Sequence, residues 1–526
     1  MSSKSCKALA IGAALMLMGA AGCTDLTVEP KSTVTEANVF NDPGSYKAFI
    51  ARVYAGLAVS GQQGPAGRPD ISGIDEGFSH YVRLLWEAQE LPTDEAVLGW
   101  LSDAGIPELN QQTWGVTNGM VVALYYRLFF QIGMANEFLR QTTEAKLSAR
   151  GHTGAGLNAE IATYRAEARF LRALSYWHGI DLFGNIPLLT EDDPLGSTPP
   201  EQATRSEIYD FIVSELIAIQ SELPAPSAAT YGRATGPAAS MLLAKVYLNA
   251  EVYTGTANYS GALTAAQAVI AGPYTLDNNY REIFLADNHT SPEIIFAVTQ
   301  DGLRTQTWGG TTFLVHASCG GNMDAALYGI DGCWWGLRLK QQAYSLFGAG
   351  DGRAASFHTS GQSVTVVSMG NFNDGIAAPK YANVTSTGAQ GSHPTHVDTD
   401  YPMFRLADAY LIYAEAALRG GGGSTAQALT YVNALRQRAY GNANGNITSA
   451  QLTLDFILDE RVRELFWEGH RRTDLVRFGR FTGGAYLWAL KGGSAAGVST
   501  SAHLNLYPLP ANEIIANPNL TQNPGY

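Results

Sequence analysis

Twice along this chain two small-residue-rich helical patterns follow one another across a short connection, and that recurrence limits the folds open to it. In the first pair, 232–251 and 259–271, Leu243, Ala244 and Tyr247 fit one helix. Tyr259, Ala262, Leu263 and Ala266 fit the other, and Pro273 closes it. In the second pair, 404–418 and 425–439, Leu406, Tyr410, Tyr413, Ala414 and Ala417 form one stripe, answered by Ala428, Val432 and Leu435 across Gly420–Gly423. Steps of three and four keep such residues on one helical face. A hairpin with that pattern cannot bury its apolar face alone, so several must stack. Two longer patterns extend the helical reading. Ile161, Tyr164, Ala168, Leu171, Leu174 and Trp177 line one stripe of 159–180, and 206–223 is expected to start at Ser206 as cap and stop before Pro224.

Each pair resembles a tetratricopeptide unit, although Tyr247 and Tyr259 stand twelve apart and lengthen the first connection. The expected class is therefore mostly α: a tetratricopeptide-like helical-hairpin scaffold with long irregular, loop-rich segments packed on it.

Those irregular segments are 61–78, 301–336 and 350–400. Loops of such length inside a compact domain are functional or disordered. The segment 301–336 carries Trp308, Phe313, His316, Tyr328, Trp334 and Trp335 among its glycines, a ring content foreign to disorder. It is expected to be an ordered, displayed surface, with ligand-binding segments at roughly 60–115 and 300–400.

The N-terminus sets the compartment. Lys4 and Lys7 precede an uncharged apolar run from Ala8 to Met18, and small residues lead to Cys23. The run is too short to span a bilayer, which takes about 20 residues, and reads as a cleaved signal over 1–22. Small residues ending in Cys are the acceptor pattern of bacterial lipoproteins, although Ala20 stands where Leu is usual. Cys23 is then the lipid anchor, and 23–526 the mature domain. Two or more acyl chains anchor stably where one does not. Without Lys4 and Lys7 the formal charge of −13 becomes −15. No Lys/Arg cluster offsets it, so nucleic acid is a poor partner and neutral ligands are favoured.

Cys6 leaves with the signal, and Cys319 and Cys333 remain; spacing alone leaves open whether they bridge. Without paired histidines they make no zinc site. Trp86, Trp114 and Trp177 sit in apolar helical contexts and are expected in the core, and Trp467 and Trp488 are expected to be structural. Of the adjacent Trp334 and Trp335, at least one packs inward. The charged stretch 459–480 is read as one scaffold helix with pairs Asp459–Arg463, Glu468–Arg472 and Asp474–Arg477, worth tenths of a kcal/mol each if exposed.

Enzyme signatures are thin. Glycosidases hold two carboxylates about 5 to 10 Å apart across the scissile bond. Asp94 with Glu95, beside Trp100, is the tempting pair, but sequence neighbours diverge and no opposing wall is apparent. No G-x-S-x-G elbow, P-loop or dinucleotide fingerprint occurs. A structural surface protein is the third reading, against which the ring-rich 301–336 segment argues.

A succession of motifs carries a more specific resemblance. They are AEARFLRALSYW with DLFGNIPLL (166–189), GRATGPAASMLLAKVYLNAEVY (232–253), SPEIIFAV (291–298), FRLADAYLIYAEAAL (404–418), VNALRQRA (432–439), ILDERVRELFWEGHRRTDLVRFGRF (457–481), LYPLPANEI (506–514) and NPNLTQNPGY (517–526). In this order they resemble the SusD/RagB family of outer-membrane glycan-binding lipoproteins. WEAQELPTDEAVLGW with GIPELNQQTW (86–114) and YLNAEVYTGTANY (247–259) resemble its starch-binding branch.

The resemblance implies a non-catalytic protein without cofactor, lipid-anchored at the outer membrane and facing outward. It would capture a polysaccharide or oligosaccharide and pass it to a SusC-like TonB-dependent transporter. Starch or another α-glucan is the implied ligand, with a different glycan as the alternative. It further implies that Trp100 is the first aromatic of a glycan-holding arc, that Trp334 or Trp335 is the second, and that Trp308 is the third ring. Arg83 would be a polar neighbour, and Asp103 would hydrogen-bond a hydroxyl. Flat rings beneath the C–H faces of a pyranose, with polar side chains at its edge, suit that ligand. Calcium near Asp287 and Asn288 would rest on two oxygen donors only.

Overall fold

The structure is a computed structural model that describes residues 39–526 apart from 195 and 197. The expected signal and the Cys23 anchor lie outside the described residues. Residues Tyr46–Tyr526 pack as one unit.

The helices Gly236–Leu248, Tyr259–Ile270, Leu406–Leu418 and Thr425–Tyr440 pack in that succession, so the two hairpins form one stack. Ala239, Ala262, Ala266, Ala414 and Ala428 are fully buried there, and their small side chains let helix axes approach closely. The second hairpin begins later than its periodicity implies. Phe404 belongs to the strand Tyr401–Arg405, which pairs antiparallel with Ile294–Val298. The helix Ala155–Phe183 extends the expected 159–180 at both ends. The next helix, Arg205–Ile219, is capped by Thr204 rather than Ser206. Thr204 is the residue in extended backbone, and its side chain accepts from Glu207 N while Glu207 reaches back to Thr204 N, a reciprocal capping box. No helix among the described residues is long and apolar enough to cross a membrane.

The charged C-terminal stretch is two helices, Leu454–Leu465 and Arg471–Arg477, not one. The break occurs because its backbone N–H groups bond to acids of another segment. Trp467 N donates to Glu95 Oε2 at 3.1 Å, and Gly469 N and His470 N donate to Glu90 Oε1 at 2.7 and 3.0 Å. Trp467 is held at φ 61 and meets Trp86 edge to face, while Trp86 Nε1 donates to the Trp467 carbonyl at 2.9 Å.

Two of the three expected ion pairs do not form: Arg472 and Glu468 take long-range partners, and Arg463 takes Glu460 on its own helix. Asp474–Arg477 forms at 2.8 Å, but Arg472 turns to Asp181, and Glu468 to Arg405 and Lys380. Helix periodicity cannot foresee the long-range pairs, because those partners are brought in by packing. Trp86, Trp114, Trp177, Trp467 and Trp488 are all buried.

Candidate functional site

The site begins with a two-residue strand pairing. Val97–Leu98 runs antiparallel to Leu337–Arg338, and Gly99 N extends the ladder to Gly336 O at 3.0 Å. Trp100 follows on one side and Trp334 precedes on the other, so two distant segments deliver their indoles to one place. Gly336 makes the approach possible: a Cβ there would lie 3.0 Å from the Trp100 ring and 2.8 Å from Leu98 Cδ1.

Trp334 and Trp335 are set by the helix Gly310–Ala317, which occupies part of the segment expected to be irregular. Three consecutive N–H groups, of Trp334, Trp335 and Gly336, donate to the carbonyls of His316, Cys319 and Ala317, each at 2.9 Å. Cys319 and Cys333 form a disulfide, which settles the question their spacing left open and clamps the backbone just before Trp334. Beneath the Trp334 ring lies His316, stacked at 4.5 Å and 21°. Its Nδ1 is 2.7 Å from Gly332 O and its Nε2 2.8 Å from Thr395 O. Two carbonyls satisfy both nitrogens only in the doubly protonated ring. Burial pushes the other way and lowers the His316 pKa.

Trp308 arrives from the chain just before that helix. Its N donates to Glu76 Oε2 at 3.0 Å, and Gly77 gives it room, since a Cβ there would meet Trp308 Cβ at 2.7 Å.

The three indoles form a row with Trp334 in the middle. Trp308 and Trp334 have centroids 6.0 Å apart with planes inclined by 50°, and Trp334 and Trp100 are 6.2 Å apart at 47°. Neighbouring planes in the row are thus inclined to one another rather than coplanar. All three rings are half-buried, each keeping part of its surface exposed. Trp335 stands outside the row: it is 52% exposed, its φ is 58, and its ring contact is Phe372 at 5.8 Å. Of the two adjacent tryptophans, Trp334 is thus the one placed with Trp100 and Trp308.

Arg83 has a different place from that of a rim hydrogen-bonder. It is only 4% exposed and lies over Phe78 at 3.8 Å and Phe313 at 4.2 Å, with the Trp100 ring at 5.5 Å. Its Nε bonds Glu87 at 2.9 Å and its Nη1 the Trp308 carbonyl at 3.4 Å, so it braces the row from behind. Asp103 is partly exposed in the turn that follows Trp100, and its N donates to Trp100 O at 3.3 Å. Burial raises its carboxyl pKa, opposed by Arg83 and reinforced by Asp75.

Sequence reasoning passed over the second layer, Phe313 and His316. The signal was their spacing of three, which puts both on one helical face.

Asp94 and Glu95 are remote from chemistry of their own. Arg471 binds Asp94 through two 2.7 Å bonds, Tyr486 donates to it at 2.6 Å, and Glu95 holds Trp467 N. Both acids are buried within the scaffold. Asp287 and Asn288 are likewise engaged by protein: Asp287 accepts from Ser386, and Asn288 bonds both ways with the Asp400 backbone.

The chain is 35% identical to the starch-binding protein SusD of Bacteroides thetaiotaomicron, across 98% of this chain and 97% of that one. It belongs to the SusD family. Residues 359–526 match the SusD family as such, and residues 84–248 match a family described as starch-binding and associating with the outer membrane. The SusD fold is matched as well. A SusD superfamily protein of Bacteroides thetaiotaomicron superposes with a TM-score of 0.71 at 22% identity, covering 92% of this chain and 99% of that one. Surface glycan-binding protein A of the same organism, solved with laminarihexaose, gives 0.69 at 22% identity, covering 91% and 98%. At such identity these two structures speak for the SusD fold alone.

Proposed function

We propose that this chain binds an oligosaccharide on the Trp308–Trp334–Trp100 row and does no chemistry on it. The observation that carries the reading is the row itself, three partly exposed indoles spaced about one ring apart with neighbouring planes inclined by about 50°. Pyranose C–H faces lie on such rings, and rings inclined to one another suit the turning units of an α-1,4-glucan better than the flat ribbon of a straight β-glucan. An α-glucan is therefore the proposed ligand, in keeping with the starch-binding relative. Asp103 is placed to accept a hydroxyl at the Trp100 end. Arg83 acts in this reading through the rings it supports.

The proposed setting is the outer face of the outer membrane, with the lipid on Cys23 as tether and a SusC-like TonB-dependent transporter as recipient. The name of the family matched over 84–248 supports the membrane association.

The deciding experiment is calorimetry of maltoheptaose with wild type and with Trp100→Ala/Trp334→Ala. Micromolar to millimolar binding that the double variant weakens at least tenfold, with an unchanged melting curve, supports the reading; unchanged affinity overturns it. A panel of amylopectin, pullulan, dextran, inulin and xylan tests the glycan class, and steady release of reducing ends from amylose would overturn the non-catalytic part.

A further inference from the structure

A cleft of about 830 Å³ lies apart from the row, and none of the three row indoles lines it. Its back is the strand Ile294–Val298, which contributes Ile294, Ile295 and Ala297. Tyr231 and Tyr274 supply rings, both half-buried and so only partly covered by protein. Leu303, 63% exposed, stands at the rim on the turn 301–305.

Its polar lining mixes hydroxyl, amide and imidazole groups, among them Ser227, His289 and Gln300, with carboxylates held in fixed positions. Asp400 accepts from Tyr231 Oη and from Gln300 N, each at 2.7 Å. Asp398 accepts from Gly302 N at 2.7 Å and from the backbone and hydroxyl of Ser392. A carboxylate has about four acceptor sites, so each keeps capacity for a further donor. No Lys or Arg lines the cleft, while Asp301, Asp398 and Asp400 do. Asp301 is paired with Arg304 at 2.9 Å on the rim turn and His289 is the one basic side chain of the lining, so Asp398 and Asp400 leave an anionic ligand at a disadvantage. A neutral polyhydroxyl ligand finds what it needs: ring and aliphatic faces below and fixed acceptors at the edge.

The cleft is also continuous in the chain with the indole row. The segment 301–308 gives Leu303 to the cleft and Trp308 to the row. Beside it, 392–400 gives Asp398 and Asp400 to the cleft, while His396 packs on Trp308 at 5.0 Å. Five residues separate Leu303 from Trp308, so their Cα atoms lie within about 18 Å of each other, the reach of a short oligosaccharide.

We propose that this cleft is a second saccharide site, selective for a neutral glycan segment, working beside the indole row. Tyr231, Tyr274 and Leu303 hold the sugar faces, and Asp398 and Asp400 accept hydrogen bonds from hydroxyls. The proposal rests on the reading that the chain binds glycans at all, and the test separates the two.

Maltoheptaose is titrated by calorimetry into wild type, the row variant Trp100→Ala/Trp334→Ala, the cleft variant Tyr274→Ala/Leu303→Asp, and the combination. Leu303 is exposed and Tyr274 half-buried, and melting curves check the fold of each protein. Expected is residual binding in the row variant that falls at least fivefold further in the combination. The cleft variant alone should keep the stronger row affinity and lose a weaker phase. A trigalacturonate probe, charged at every unit, should bind the row variant at least tenfold more weakly than maltotriose. Absence of any binding in the row variant, or residual binding indifferent to the cleft changes, overturns the second site while leaving the row standing. Equal binding of trigalacturonate overturns its selectivity. No binding in wild type, to maltoheptaose or to any neutral glycan of the panel, removes both readings together.

Discussion

The indole nitrogen of Trp100 donates a 3.0 Å hydrogen bond to the backbone carbonyl of Trp334, across 234 positions of sequence. The Trp100 ring is thereby oriented by the segment that carries Trp334, and Trp100 spends its only polar side-chain group inside the protein. Its contribution to a ligand is then its face. Trp100→Phe keeps an aromatic face and loses this bond, so maltoheptaose affinity should fall by a few fold, in line with a net hydrogen bond of about 1 kcal/mol. Calorimetry of Trp100→Phe beside Trp100→Ala checks the order; equal losses would show that ring orientation is immaterial.

Gly336 offers a way to move Trp100 without touching it. A methyl group at that position would press on the ring at 3.0 Å and on Leu98 at 2.8 Å. Gly336→Ala should therefore reduce saccharide affinity by roughly the loss seen for Trp100→Phe or more, with overpacking costing about 1–3 kcal/mol of stability. Denaturant titration and calorimetry on the same preparation separate the two effects.

The Cys319–Cys333 disulfide closes a separation of fourteen residues immediately before Trp334. A loop of that length stabilises by about 3 kcal/mol in the chain-entropy account. Cys319→Ser/Cys333→Ser should lower the melting temperature and weaken maltoheptaose binding in the remaining folded protein. Undiminished affinity at a temperature where the variant is fully folded would remove the clamp from the site.

His80 caps the helix Tyr81–Glu90, which carries Arg83, with its Nδ1 accepting from Val82 N at 3.1 Å. Burial lowers its pKa to about 3, and Arg127 and Arg83 oppose its charging. The unfolded chain titrates near 6.5, so between about 6.5 and 3 it takes up a proton that the folded chain refuses. Stability from this group is present above pH 6.5 and declines as pH falls, by about 1.4 kcal/mol per unit. His80→Asn keeps a capping acceptor and does not titrate. The difference in unfolding free energy, wild type minus variant, should shrink with that slope between pH 6 and 4 in urea melts. A flat difference would mean that the folded ring charges freely.

Arg405 is buried among Glu293, Glu464 and Glu468, at 2.7, 2.7 and 2.6 Å. Removing one member of such a cluster strands the others, a cost of about 3–5 kcal/mol. Arg405→Ala should lose that much in denaturant titration, and Arg405→Lys less, with glycan affinity unchanged where the protein still folds.

How far these features were legible depends on their range. Helix hairpins showed because their contacts lie at i+3 and i+4, and Trp100, Trp308 and Trp334 were found through motif resemblance and ring content. Sequence alone left open whether Trp334 or Trp335 joins the row, since a φ of 58 at Trp335 has no signature in its residue type. Arg83 was expected as a polar neighbour of Trp100, but the Phe78, Phe313 and Glu87 contacts that bury it arise only through packing. The break at Trp467 was equally hidden: the acids that draw its backbone out of helix, Glu90 and Glu95, lie more than 370 residues earlier.

That distance also bears on the order of events during biogenesis. The helix bearing Arg83 is seated by backbone from the last sixty residues, and Trp100 is oriented by a carbonyl from the second half of the chain. A chain still lacking its last sixty residues accordingly possesses no finished indole row, and the platform is completed only once the C-terminal segment has packed.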